Sequence, residues 1–186
     1  MAITLYMIRH GQTEENAANI LQGHLPGHLT DEGRQQACQA REALRHIPFD
    51  AIYSSDLLRC ADTATIVGEP HPIPIHYSTL LRERDWGPFT GMDIKQAVHL
   101  LDDRAETVAH MYERAIAFLT ALTQNDEHHT VLVVSHGLFC RVLQGAILHT
   151  TIKKIPRMDN AEIRQLTLTP PYHFGTEATE SGATAS

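Results

Sequence analysis

No stretch of this sequence approaches the ~18–20 consecutive apolar residues that cross a membrane. The apolar start at residues 3–8 is too short for a secretory leader, and Arg9 ends it. No membrane partner is expected. Cysteine is scarce: three residues, an odd number at irregular spacing, make no disulfide framework. A reducing, cytoplasmic setting is therefore expected. Positive charge is in deficit, with 15 Lys and Arg against 22 Asp and Glu, or −7 with His neutral. That balance argues against gripping nucleic acid by phosphate neutralisation. It leaves room for a pocket with a few local cations. Internal repeats and domain boundaries are also missing. Residues 1–174 are expected to form a single domain, long enough to bury a full core. Residues from about 80 to 105 are expected to make a short cap over it. Residues 175–186 hold only Gly, Thr, Glu, Ala and Ser, and read as a flexible tail. Histidine is in excess, with 13 residues that gain charge below neutrality.

What is present alternates between strand and helix patterns. Residues 3–8 read as a buried strand ending in a turn at Arg9-His10-Gly11. Thr30 is expected to cap a helix that runs to about Arg45, with Asp31 and Glu32 in its first turn. Residues 51–53 make a second strand. Ser54-Ser55-Asp56 is expected to open a helix carrying Leu57, Ala61, Ala64 and Val67, closed by Gly68 and Pro70. Residues 71–75 are broken by prolines and admit at most a short strand at their end. Helices are expected over residues 95–101 and 106–122, the second with Val108, Met111, Ala115, Phe118 and Leu122 on one face. Residues 130–134 are apolar on both faces, which suits the middle of a parallel sheet. They lead into Ser135-His136-Gly137 and a helix through Leu148. Residues 161–168 make a last strand. The alternation predicts an α/β fold, a three-layer α/β/α sandwich around a mostly parallel sheet.

Sites on such sheets lie beyond the carboxyl ends of the strands. Two strands here end in His-Gly, so His10 and His136 are expected on one edge. Arg9 is adjacent, and Arg59 follows the second strand by about one helical turn. Glycine after each histidine would let backbone N–H groups approach a ligand. The helix start after His136 adds a positive dipole end. Together these make a pocket for a dianion such as phosphate. A lone histidine after a strand is more often structural, and a lone arginine is usually solvated; the inference comes from all four residues in combination. His71, His76, His128 and His129 match no closed zinc pattern and read as solvated loop residues. No metal and no cofactor are expected. Cys38, Cys60 and Cys140 read as small apolar residues buried in helices. Lys153, Lys154 and Arg157 read as a solvated basic face.

These residues resemble the signature of the histidine phosphatase superfamily, the phosphoglycerate-mutase-like group. The likeness begins with Arg9-His10-Gly11-Gln12-Thr13-Glu14-Glu15-Asn16 and Gln22-Gly23. It continues through Leu29-Thr30, Gly33 and Gln36-Ala37, then Ser54-Ser55-Asp56-Leu57-Leu58-Arg59. Residues 81–87 resemble the acidic-residue loop of the family, and residues 133–137 its second histidine motif. Asn160 stands where the family often opens its last strand. Thr90-Gly91, Ala105-Glu106-Thr107 and Leu138 depart from the common pattern on the side where the leaving group should sit.

The resemblance implies a metal-independent phosphomonoesterase acting on a small phosphorylated metabolite, such as a sugar phosphate. His10 would attack phosphorus and carry a phosphohistidine. A backbone carbonyl would hold its other nitrogen. Arg9 and Arg59 would bind phosphate oxygens with their donor forks. His136, cationic beside the phosphate, would bind a third position, and Asn16 would add a neutral donor. Gln22, Gly23, Gly137 and Leu138 would complete the phosphate and substrate site. Glu83 would protonate the leaving oxygen, its protonated form favoured beside phosphate; Asp85 is second choice. Without the family context, Glu83 reads as a surface ion pair with Arg82 or Arg84. Trp86 and Phe89 either line the pocket mouth or pack the loop. Three alternatives stand beside this reading: a phosphoglycerate-mutase-type phosphotransferase, a phosphohistidine phosphatase, and a non-catalytic phosphate-binding module. A mutase needs extra cations for a second anionic group. Between Met92 and Arg104 the only basic residues beyond histidine are Lys95 and Arg104, and the tail has no Lys or Arg, which favours water as acceptor. The chain is expected to be a monomer or a homodimer.

Overall fold

The alternating pattern folds around one five-stranded sheet. The computed structural model describes residues 1–125 and 127–175; the expected tail at 175–186 lies outside them except for Gly175, which is buried and donates to the Ala146 carbonyl at 3.0 Å. Strands β1 (Ile3–Arg9), β2 (Ala51–Ser55), β3 (Ile75–Ser78), β4 (Thr130–Ser135) and β5 (Ile163–Leu168) lie in the order β3-β2-β4-β1-β5. All neighbours are parallel except β1 and β5, which are antiparallel. The helices are α1 (Glu14–Ala17), α2 (Asp31–Leu44), α3 (Leu58–Gly68), α4 (Ile94–Ala97), α5 (Val108–Thr123) and α6 (Gly137–Ile147).

The period-two geometry of the strands divides the core between two faces. Leu5, Met7, Val131 and Val133 pack against Met111, Ala115 and Leu119 of α5 and Phe139, Val142 and Leu143 of α6. Ile8, Leu132 and Val134 pack on the other face against Ala40 and Leu44 of α2 and Cys60, Ala64 and Val67 of α3. This is the expected α/β/α sandwich. A third, smaller cluster joins Leu21 to Phe89, Ala97 and Ala105 beyond the sheet edge. Phe89 therefore packs the covering segment.

Several boundaries differ from the sequence expectation. Ser54 and Ser55 remain in β2, paired with Tyr77 and Ser78, and the helix begins only at Leu58. The segment broken by prolines starts a strand at Ile75 where one was expected to end. Prolines 70, 72 and 74 all precede this edge strand, leaving the N–H groups of residues 76–78 in place for pairing. The helix expected over 95–101 is a single turn ended at Ala97. Glu106 lies outside α5, because Thr107 is the N-cap, its hydroxyl accepting from the His110 N–H. The last strand starts at Ile163, after Ala161 at φ 55°. His71 and His128 are buried, not solvated: His71 packs edge-on against Phe49, and His128 lies edge-on to Tyr53. Cys60 and Cys140 are buried as expected, whereas Cys38 is half-buried. No helix among the described residues is long and apolar enough to cross a membrane.

Candidate active site

Parallel pairing of β1 with β4 sets Arg9 opposite Ser135, so the next residues, His10 and His136, leave the sheet side by side. Their ring centroids lie 5.3 Å apart in an edge-on arrangement. The His10 N–H donates to the Ser135 carbonyl at 2.9 Å, tying the two strand ends together.

His10 Nδ1 lies 2.8 Å from the Gly11 carbonyl. A carbonyl only accepts, so Nδ1 carries the hydrogen and Nε2 keeps its lone pair. Burial, then the charges of Arg59 and Arg9, push His10 well below its usual 6.5. Burial, then Arg59 and His10, do the same to His136. Burial and the nearby positive charges thus disfavour the cationic form of His136 in the ligand-free protein, whereas the expectation concerns His136 beside a bound phosphate. Its Nε2 lies 2.9 Å from the Ser55 hydroxyl. His136 is completely buried and stands behind His10 without lining the cavity.

The two arginines converge as expected, but their forks are partly engaged. Arg59 is 1% exposed. Its Nη2 donates to the Gly23 carbonyl at 2.8 Å, and its Nη1 to the carbonyls of Leu25 and Pro26. Arg9 Nη1 donates to the Met158 carbonyl at 2.7 Å. The Nε atoms of both arginines are buried without a hydrogen-bond partner, as is Gln22 Oε1. Each such atom costs about 1–3 kcal/mol unless something satisfies it.

Asn16 forms a reciprocal capping box with Thr13. Its Oδ1 also accepts from Asn160 Nδ2 at 3.1 Å. With the oxygen thus engaged, the Asn16 amide nitrogen is left for the cavity that Asn16 lines. Glu83 makes neither expected ion pair. Arg82 pairs with Asp56, and Arg84 lies over the Trp86 ring at 4.6 Å. The Glu83 carboxylate accepts from the backbone N–H groups of Arg84 at 2.9 Å and Leu138 at 3.2 Å. The Leu138 donor at the start of α6 thus holds the carboxylate in the ligand-free protein. Asp85 turns away from the cavity and accepts from the Gly87 N–H.

Of the two glycines after the histidines, Gly11 has a packing reason, and its N–H donates to the Thr63 hydroxyl at 3.1 Å. A Cβ on Gly11 would come 2.4 Å from the Gly33 carbonyl oxygen. One on Gly137 would come 3.1 Å from Arg9 Nε. Gly11 is forced by close backbone packing, whereas Gly137 meets only the Arg9 side chain and lines the cavity.

His10, Arg9, Arg59, Asn16, Glu83 and Trp86 border a cavity of about 480 Å³, with Gln22, Gly23, Gly137 and Leu138. Arg141 and Arg157 also line it. Sequence reasoning missed both as cavity residues, because it sought extra cations only in the covering segment and tail; Arg157 is exposed, as the solvated reading has it. Arg141 carried a signal, since it stands four residues after Gly137 on the same helix face. Sequence reasoning also missed the supports of the acid loop. His24 Nε2 donates to the Glu83 carbonyl at 2.9 Å. Arg114 donates to the carbonyls of Leu80 and Arg82 and forks onto Glu106 at 2.7 and 2.9 Å. Among the described residues, no group of three or more His, Cys, Asp or Glu is placed to hold a metal.

Residues 5–173 match the histidine phosphatase superfamily (branch 1). The chain belongs to this superfamily. Among histidine phosphatases, it is 46% identical to the glucosyl-3-phosphoglycerate phosphatase of Mycolicibacterium vanbaalenii, over 87% of this chain and 83% of that one. It is 34% identical to a broad-specificity phosphatase of Saccharomyces cerevisiae, over 76% and 68% respectively. The solved mycobacterial glucosyl-3-phosphoglycerate phosphatase superposes with a TM-score of 0.81 at 29% identity, covering 90% of this chain and 91% of that one. The chain is an enzyme of the histidine phosphatase type.

Proposed function

We propose that this enzyme hydrolyses small phosphate monoesters, such as sugar phosphates, through a phosphohistidine on His10. One observation carries the reading: the free Nε2 of His10 belongs to the same cavity as two arginines with unpartnered Nε donors. In the first step Nε2 attacks phosphorus, an N–P bond forms, and the ester P–O bond breaks. Glu83 delivers a proton to the departing oxygen. In the second step water attacks the phosphohistidine, Glu83 takes the water proton, and phosphate leaves. Arg9 and Arg59 hold charge on the phosphoryl oxygens. Asn16 adds a donor, and His136 supports His10 and the phosphate from behind. A dianion beside His136 reverses the local field and favours its cationic form on binding. Gln22, Gly23, Gly137 and Leu138 shape the remainder. Enough fixed positive charge surrounds the phosphate for the reaction to proceed without a metal.

We read residues 1–174 as one domain. The free state of Cys38, Cys60 and Cys140 supports a reducing compartment, and we place the enzyme in the cytoplasm.

The test is phosphate release from a panel of phosphomonoesters in EDTA, comparing native protein with His10→Ala. The native enzyme should turn over, and the variant should lose at least about a thousandfold. Acid-labile, base-stable phosphate should be trapped on native protein alone. Equal turnover in His10→Ala would overturn the reading.

A further inference from the structure

The chain from Arg82 to Trp86, which carries Glu83, belongs to no helix or strand. Such a segment has no ladder of its own, so side chains must meet its backbone polar groups. They come from four separate places. Arg114 of α5 donates through Nη1 to the carbonyls of Leu80 at 2.7 Å and Arg82 at 3.1 Å. The Ser135 hydroxyl donates to the Leu81 carbonyl at 2.7 Å, and His24 to that of Glu83 at 2.9 Å. Glu106 takes Asp85 from both sides. Its Oε2 accepts from the Asp85 N–H at 3.1 Å, and its own N–H donates to the Asp85 carbonyl at 2.7 Å. The Glu106 carbonyl also accepts from Arg84 Nε at 2.6 Å.

Arg114 and Glu106 are locked to each other. Arg114 Nε and Nη2 fork onto the two carboxylate oxygens of Glu106 at 2.7 and 2.9 Å. The two side chains are 13% and 7% exposed, so solvent screens the pair little. The Arg114 guanidinium also lies 4.5 Å over the Phe139 ring. Phe139 follows Leu138, whose N–H meets the Glu83 carboxylate at 3.2 Å. The pair therefore grips the chain before Glu83, the chain after it, and the helical turn that receives its carboxylate. Neither Arg114 nor Glu106 borders the cavity at His10. Their influence on the reaction must pass through what they hold.

We propose that the Glu106–Arg114 pair is a positioning clamp for the general acid. It sets the Glu83 carboxyl against the leaving oxygen and acts on the reaction through Glu83 alone. This rests on the phosphatase reading above. A reacting group misplaced by about 1 Å costs on the order of a hundredfold in rate, which is the scale on which such a clamp matters.

Two variants loosen the clamp without emptying it. Arg114→Lys keeps the charge, but one ammonium cannot span two carbonyls and both carboxylate oxygens. Glu106→Gln keeps the shape, but its amide N–H2 must face either Arg114 or the Asp85 N–H. Each is compared with native enzyme on a sugar phosphate and on p-nitrophenyl phosphate. Each should lose about tenfold or more in kcat on the sugar phosphate, with KM little changed. On p-nitrophenyl phosphate, whose phenolate leaves unaided, the loss should stay under about threefold. In a Glu83→Gln background the same substitutions should cost less than about twofold further. Equal losses on the two esters, or a full loss retained in that background, would overturn the clamp and leave a general structural support. Solution NMR reads the same contact without turnover. The Leu138 amide proton, bonded to the Glu83 carboxylate, should shift in Arg114→Lys in the same direction as in Glu83→Gln. An unmoved Leu138 resonance also overturns the clamp. No phosphate release by native enzyme overturns the phosphatase reading instead, and the Leu138 resonance still decides the clamp.

Discussion

His10 and Glu83 are held by the same device, a hydrogen bond to the backbone, with opposite consequences. The Gly11 carbonyl fixes the hydrogen of His10 on Nδ1 and leaves Nε2 nucleophilic. The N–H groups of Arg84 and Leu138 fix the Glu83 carboxylate at the edge of the cavity. If Glu83 protonates the leaving oxygen, its value depends on how much that oxygen needs a proton. Glu83→Gln should lower kcat/KM for sugar phosphates by about 10²–10³. For p-nitrophenyl phosphate, whose phenolate leaves unaided, the loss should be under about tenfold. Steady-state kinetics on the two substrates checks this, and equal losses would remove Glu83 from the proton-transfer role. Arg9, His10, Arg59 and Glu83 were legible in the sequence because each sits at a fixed offset from a strand end or in a short motif. Arg141 and Arg157 were not, because a surface cation and a pocket cation look alike until the chain is folded.

Local patterns name elements well and their junctions poorly. The strand carrying Val131–Val134 and the helix after Gly137 emerge where apolar runs and turn residues place them. The glycines at the junctions were recognised, and the structure adds a packing reason for Gly11. Gly11 is glycine because α2 begins against it: a Cβ would lie 2.4 Å from the Gly33 oxygen and 2.9 Å from its carbon. Gly33 has the reciprocal limit, its Cβ falling 2.0 Å from the Gln12 oxygen. Both obstacles are backbone and cannot swing aside. Gly11→Ala should therefore destabilise the protein by about 3 kcal/mol. A urea titration should show a lower midpoint with an unchanged slope. A midpoint equal to that of the native protein would show that β1 and α2 can separate freely. Such a contact joins residues 22 positions apart, so no window of local sequence reveals it.

Across the whole molecule, two buried histidines couple stability to pH. His10 and His136 have native values well below the usual 6.5, mainly through burial. Between 6.5 and those depressed values the unfolded chain binds protons that the native chain refuses. Stability therefore rises with pH through this window and is lost as pH falls through it. Each histidine contributes a slope of up to about 1.4 kcal/mol per pH unit. Urea unfolding between about pH 7 and 5 should show the decline, and replacing both residues by Gln should flatten it. An unchanged slope in the double variant would mean that other groups carry the acid sensitivity. Asp56 and Glu106 are held below their ordinary values, Asp56 chiefly by its bond to Arg82 and Glu106 chiefly by Arg114 against the opposing effect of burial. Their contribution fades only at lower pH, which keeps the two windows apart.

The order of strands and helices, the two-faced core and the histidine-bearing strand ends follow from period, capping and turn chemistry, all of which act over a few residues. Those features were readable from the chain alone. Folding decided the burial of His136 among positive charges, the partial engagement of both arginine forks, the packing reason for Gly11, and the arrival of Arg141 and Arg157 in the cavity. Each of these depends on groups far apart in sequence coming within a few ångströms. Desolvation, close backbone approach and charge proximity exist only once that approach has been made.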